Sequence, residues 1–166
     1  MDTQIVTNPT VKAGPKEVFS HLLAMLMLYF SAASFITLLY QLINIWLPDP
    51  LEINNYYYLE GARTGIRFGV ASLIVVFPTF LLMTRYLNRL YEKKIEVRNM
   101  RIRKWLVYFT LFAAAAMILG DLVVLIYNLL GGEITSRFIL KVLTILFVAG
   151  SIFYYYYFDL KRTKSE

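Results

Sequence analysis

Asp121 stands inside an apolar stretch, seventeen residues past Lys104 and with nine residues of the same stretch still to follow. A carboxylate so placed in hydrocarbon takes a proton, or is held ionised by a neighbouring cation. Two cations stand in comparable positions. Arg67 lies eighteen residues before Arg85, and Lys141 eighteen before Asp159. At the helical rise these separations are roughly 27 Å, and that from Lys104 to Asp121 roughly 25 Å. Three separate stretches thus bring Arg67, Asp121 and Lys141 to nearly one depth. Arg63 and Arg137 sit four residues earlier, one turn further out. Gln41, Asn44 and Asn128 are close enough in height to join them.

The chemistry open to such a cluster is electrostatic. Asp121 is expected to face the bundle interior and pair with Arg67, Lys141 or both. Four cations surround it, with Glu133 and Glu60 as further acids. One reading is a salt-bridge clasp that sets helix register, its spare cations snorkelling to lipid phosphates. A second is a pocket for an anionic ligand such as a lipid headgroup or a carboxylate. A third is a proton or ion pathway in which Asp121 titrates, which would require an oligomer, because four helices rarely enclose a path.

The elements that position these residues are long and apolar. Of 166 residues 58% are hydrophobic and only 17% charged, with a mean hydropathy of +0.56. A soluble domain carries about 25% charged residues. Four stretches, about 18–47, 61–86, 105–130 and 135–158, each reach the roughly 20 residues needed to cross a bilayer as a helix. Lipid offers no partner to an open sheet edge, and the stretches lack the alternation of a barrel. The fold class is therefore all-α: a four-transmembrane-helix bundle over residues 16–160, with a flexible tail at 1–15 and a short one at 161–166. Pro48 and Pro50 end the first span and Gly131-Gly132 the third, while Pro78 interrupts the second. The first span is too long for a signal-peptide core and lacks a small-x-small cleavage site.

Loop charge orients the bundle. Eight of the seventeen Lys and Arg residues fall between Arg85 and Lys104, and three in the last six positions; Lys12 and Lys16 precede the first span. The 48–60 loop holds Asp49, Glu52 and Glu60 and no cation. The positive-inside rule then puts both termini in the cytoplasm, N-in and C-in, and places the cluster toward the outer leaflet. Trp46 and Trp105 suit interface anchors. The basic connector also suits contact with anionic lipid.

Gly61, Gly65 and Gly69 recur every fourth residue, and Ala113 to Ala116 with Gly120 give the third span a slim surface. Small residues let helices approach closely in lipid. Packing within one chain is the first expectation, a homo-oligomer seam the second.

Several functions have little support. The chain has no cysteine and one histidine, His21, so no thiolate, metal or haem site is implied, and no cofactor. No Gly-x-Ser-x-Gly, His-Glu-x-x-His or phosphate loop occurs, and Asp121 lacks a partner acid within a helix turn; no catalytic residue is assigned. Nucleic-acid binding is set aside because the basic clusters flank membrane spans. Arg98, Arg101 and Lys104 have the spacing of a voltage sensor but stop where the apolar span begins, which leaves an anchor. Tyr154 to Tyr157 read as an interfacial aromatic belt, and His21, beside Glu17, as an interfacial residue.

The run Pro15-Lys-Glu-Val-Phe-Ser-His-Leu-Leu-Ala-Met-Leu-Met-Leu-Tyr29, with Arg101-Ile-Arg-Lys-Trp-Leu106, Gly120-Asp121-Leu122 and Leu125-Ile-Tyr-Asn128, resembles a family of bacterial membrane domains of unknown function with four membrane helices. The resemblance spans about residues 15–161. It implies a bacterial inner-membrane setting and a self-contained domain, and it carries over no functional residue. The expected role is a non-enzymatic accessory, interaction or lipid- or anionic-ligand-binding protein built around the Asp121 cluster. The alternative is an oligomeric small transporter or channel.

Overall fold

A computed structural model describes residues 14–48, 56–93, 97, 100–132 and 134–165. Asp49, Glu52, Lys12, Arg98 and Glu133, and the flexible tail expected before residue 14, lie outside the described residues. Four helices make up the described chain: α1 (Pro15–Trp46), α2 (Tyr56–Lys93), α3 (Arg101–Gly131) and α4 (Ser136–Ser165). Each is long and apolar enough to cross a membrane.

The helices run past the apolar stretches. Tyr56, Tyr57 and Tyr58, expected in a loop, form the first turn of α2. At the other end α2 carries on to Lys93, and α4 runs through the expected tail to Ser165. The apolar run marks what hydrocarbon covers, whereas the backbone ladder persists while side chains tolerate it; Glu, Lys and Arg are good helix formers. α2 passes through Pro78 without a break.

The termini follow from local chemistry. Pro15 occupies the first helical position, where its missing N–H is no loss. The Gly14 N–H donates to the Glu17 carboxylate at 3.0 Å, half of a capping box. α3 stops at Gly132, whose φ of 70° is left-handed; its N–H turns back to the Leu129 carbonyl at 3.3 Å. Only glycine takes that conformation without a Cβ penalty.

Neighbouring helices are antiparallel, so the bundle is two hairpins, α1–α2 and α3–α4. The hairpins meet along α1, which packs on α4 and more lightly on α3; α2 has no comparable contact with the second hairpin. The two ends of the bundle differ in charge. Residues around His21, Tyr91, Arg103 and Asp159 form a basic end, and residues around Asn44, Tyr58 and Arg137 a far end.

The core lies toward the basic end, where Met25, Leu106, Val107 and Tyr156 are buried together with Leu28, Tyr29 and Ile152 against them. Thr110 is buried in the middle. Its hydroxyl hydrogen goes to the Leu106 carbonyl at 2.9 Å, so the Tyr29 hydroxyl, 2.7 Å away, is the donor to Thr110 Oγ1. Tyr156 directs its hydroxyl at the Met25 sulfur, 3.6 Å distant. Within the expected aromatic belt, then, Tyr156 is a core residue while Tyr154, Tyr155 and Tyr157 are exposed.

The outer surface is apolar. Leu26, Phe68, Ile74, Phe112, Leu119 and Val123 all stand exposed. In water so much apolar surface would drive association, but against acyl chains it is the required finish.

α1 and α2 come close where the glycines allow it. A Cβ on Gly69 would lie 3.1 Å from Leu38 Cβ and 3.2 Å from the Ser34 carbonyl oxygen. On Gly65 it would meet the Gln41 side chain at 2.8 Å. Gly61 and Gly120 have open space beside them. The glycine ridge thus packs within the chain at two positions, while on the slim surface of the third span Ala114 is buried and Gly120 has open space beside it.

Candidate functional site

Five of the eight residues expected to converge do so, in two groups rather than one. In the first, Arg137 of α4 donates from Nε to Asn44 Oδ1 at 3.1 Å, and Asn44 Nδ2 donates to Gln41 Oε1 at 2.9 Å. The Arg137 guanidinium lies 5.5 Å from the Tyr58 ring centre, and the Tyr58 hydroxyl points at the Asn44 carbonyl at 3.4 Å. This chain of contacts joins α1, the start of α2 and α4 at the far end.

In the second group, Asp121 and Lys141 line one cavity of about 330 Å³ with Tyr40, Phe138 and Val142. Asp121 is 8% exposed. Lys141 Nζ sits 5.4 Å from the centre of the Tyr40 ring, a cation–π distance. Asp121 forms no ion pair with Lys141 or with Arg67 among the described residues, and its Oδ2 is buried without a hydrogen-bond partner. An unsatisfied buried carboxylate oxygen is uncommon, since desolvation is costly when no donor compensates it.

Arg67 and Arg63 are exposed on α2. The expected pairing of Arg67 with Asp121 therefore gives way to separation. Equal height along parallel axes fixes depth but not azimuth, and α2 leans on α1 whereas Asp121 belongs to the second hairpin. Asn128 donates to the Val124 carbonyl at 2.9 Å on its own helix and stays out of both groups.

A third polar group, at the basic end, was not legible as a site. His21 is 2% exposed. Its Nδ1 lies 2.7 Å from the Glu17 carbonyl oxygen, which can only accept, so Nδ1 carries a proton. Tyr91 then donates its hydroxyl to His21 Nε2, also at 2.7 Å. Arg103, 7% exposed, pairs with Asp159 and lays its guanidinium 5.1 Å from the Tyr91 ring centre. All four helices contribute to this network, which lines part of a cavity of about 60 Å³. The sequence signal was present: Asp159 and the residues near Lys104 stand at the same level, each the foot of its own span.

No group of three or more His, Cys, Asp or Glu residues suited to a metal occurs among the described residues. What fold and geometry define together is a small multi-pass membrane protein with buried polar groups at both ends of a two-hairpin bundle. The chain belongs to the family described as Domain of unknown function (DUF5671), whose model matches residues 17–156. No curated protein and no solved structure matches it.

Proposed function

We propose that the protein holds a phospholipid headgroup at the far end of the bundle, in the cavity that Asp121 shares with Lys141, as a binding rather than a catalytic protein. The orientation expected from loop charge makes this the outer leaflet. The observation that carries the reading is the buried Asp121 Oδ2 with no donor. A headgroup ammonium or hydroxyl supplies that donor, while Lys141, with Arg137 nearby on α4, favours the phosphate. Tyr40 and Phe138 form the apolar walls.

Lipid retention after detergent purification, read by native mass spectrometry, tests it with three phospholipids of equal chain length. Phosphatidylethanolamine offers N–H donors, phosphatidylglycerol offers O–H donors, and the choline of phosphatidylcholine offers none. Retention of the first two over the third is expected, with the preference lost in Asp121→Asn for the ammonium-bearing lipid. Equal retention of all three refutes the reading.

The same oxygen favours a second reading. Among the described residues Asp121 forms no ion pair, so its carboxyl is available to carry a proton, as a transport pathway in an oligomer requires. Proton flux into dye-loaded proteoliposomes, abolished by Asp121→Asn, would distinguish transport from binding.

A further inference from the structure

Halfway along the bundle the two hairpins leave a gap. Because α2 packs on α1 and not on α4, an open groove of about 480 Å³ runs between α2 and α4 with α1 as its floor. That volume lies within the range of about 300–1,000 Å³ usual for small-molecule sites. Four phenylalanines, Phe35, Phe77, Phe80 and Phe147, line it.

One polar atom in the groove is uncommitted. Ser31 of α1 is 7% exposed, and its Oγ has no hydrogen-bond partner among the described residues. Five other hydroxyls on these helices differ from Ser31 in this. Ser20, Thr79, Thr110, Thr144 and Ser151 each donate to the carbonyl four residues back, at 2.6–2.9 Å. Ser151, on the opposite wall, is satisfied in this way. Buried hydroxyls in lipid ordinarily take that local bond, so a free one beside a cavity has a donor to give.

Depth narrows what could accept it. Ser31 is fifteen residues from Lys16, Phe77 eight from Arg85, and Phe147 twelve from Asp159. These are roughly 22, 12 and 18 Å from the basic end, against a hydrocarbon core of about 30 Å. The groove therefore occupies the middle of the bilayer. Phospholipid ester carbonyls and headgroups stay at the interfaces, so an acyl chain filling the groove brings no acceptor to Ser31. A charged ligand is excluded at this depth by its desolvation. The remaining chemistry is a neutral, flat, lipid-dissolved ring that carries a carbonyl. Phenylalanine faces and edges suit such a ring.

We propose that the groove binds a membrane quinone, with its ring among Phe35, Phe77, Phe80 and Phe147 and one carbonyl accepting from the Ser31 hydroxyl. The site binds the ring and supplies no redox group. It is independent of the Asp121 cavity, and failure of either leaves the other standing.

An azido-substituted short-chain ubiquinone, photolysed with the protein in phosphatidylcholine nanodiscs, tests this. Labelled peptides are mapped by mass spectrometry, and decylubiquinone and 1-decanol are compared as competitors. Expected are labels on the peptides around Ser31–Phe35, Phe77–Phe80 and Phe147–Ile152, displaced by decylubiquinone and not by 1-decanol. Ser31→Ala, which removes one hydrogen bond and little volume, is expected to weaken displacement about threefold to tenfold. Ala32→Trp fills the groove and removes the labels. Each variant is first required to elute and melt as a folded protein, and Ser31→Ala carries the test if the bulkier change does not fold. Labels spread evenly over the lipid-facing residues overturn the proposal. So does equal competition by 1-decanol, which makes acyl chains the occupant, or unchanged displacement in Ser31→Ala, which removes the hydroxyl from the site.

Discussion

Arg103 of α3 and Asp159 of α4 form an ion pair at the basic end, with Tyr91 of α2 lying under the guanidinium. The arginine is buried and the carboxylate partly so, which makes the pair asymmetric in what its loss would do. Asp159→Asn takes this carboxylate charge from beside a buried cation and is expected to cost about 3–5 kcal/mol. The double change Arg103→Met with Asp159→Leu removes both charges and is expected to recover much of that. Thermal unfolding in detergent micelles reads both; equal losses in the single and double variants would show that the charge pair is not the source.

The glycines of α2 are expected to respond unequally. Gly69→Ala drives a Cβ against the Ser34 backbone oxygen and Leu38 Cβ, neither of which is the far end of a flexible side chain. Overpacking of this kind costs about 1–3 kcal/mol. Gly65→Ala meets Gln41 Cγ at 2.8 Å, on a side chain held by Asn44, and is expected to cost a similar amount. Gly61→Ala has open space and is expected to be neutral or slightly stabilising, since glycine is a poor helix residue. A ranking with Gly61→Ala worst would point to a seam between copies instead.

Asp121→Asn is expected to leave the melting temperature unchanged or raise it, because no ion pair is lost and a charge is removed from a buried place. A clasp holding helices in register predicts the opposite sign. The same variant, measured for stability and for lipid retention, thus separates the two readings by itself.

Orientation is checked on a chain without cysteine. Single cysteines at Glu60, Arg89 and Lys161, probed with a membrane-impermeant maleimide in intact cells, are expected to label at position 60 alone. Labelling at 89 or 161 would invert the bundle and move the Asp121 cavity to the cytoplasmic half.

Depth was readable in the sequence, and neighbourhood was not. Counting residues from Lys104 and Asp159 put Asp121 and Lys141 on one level, and they line one cavity. The same counting put Arg67 there too, yet it faces outward. In lipid the outer face of a helix is as apolar as its inner face, so amphipathic periodicity, which assigns azimuth in soluble bundles, is weak here. His21 shows the same limit from the other side. One turn inside an apolar run, its position suggested an interface, and only the arrival of Tyr91 from a helix seventy residues away makes it a buried partner. Ser31 belongs here too, because the absence of its local hydrogen bond is a fact of conformation.

The pairing of helices into two hairpins has a consequence for assembly. Since α2 leans on α1 for nearly its whole length, the first half of the chain has its close contacts as soon as both of its helices are in the bilayer. The second half then needs only to seat α4 and α3 along the free side of α1, closing the ring of polar contacts last. A truncated chain ending after Lys93 should accordingly insert as a paired unit, with His21 and Tyr91 already in place to receive Arg103.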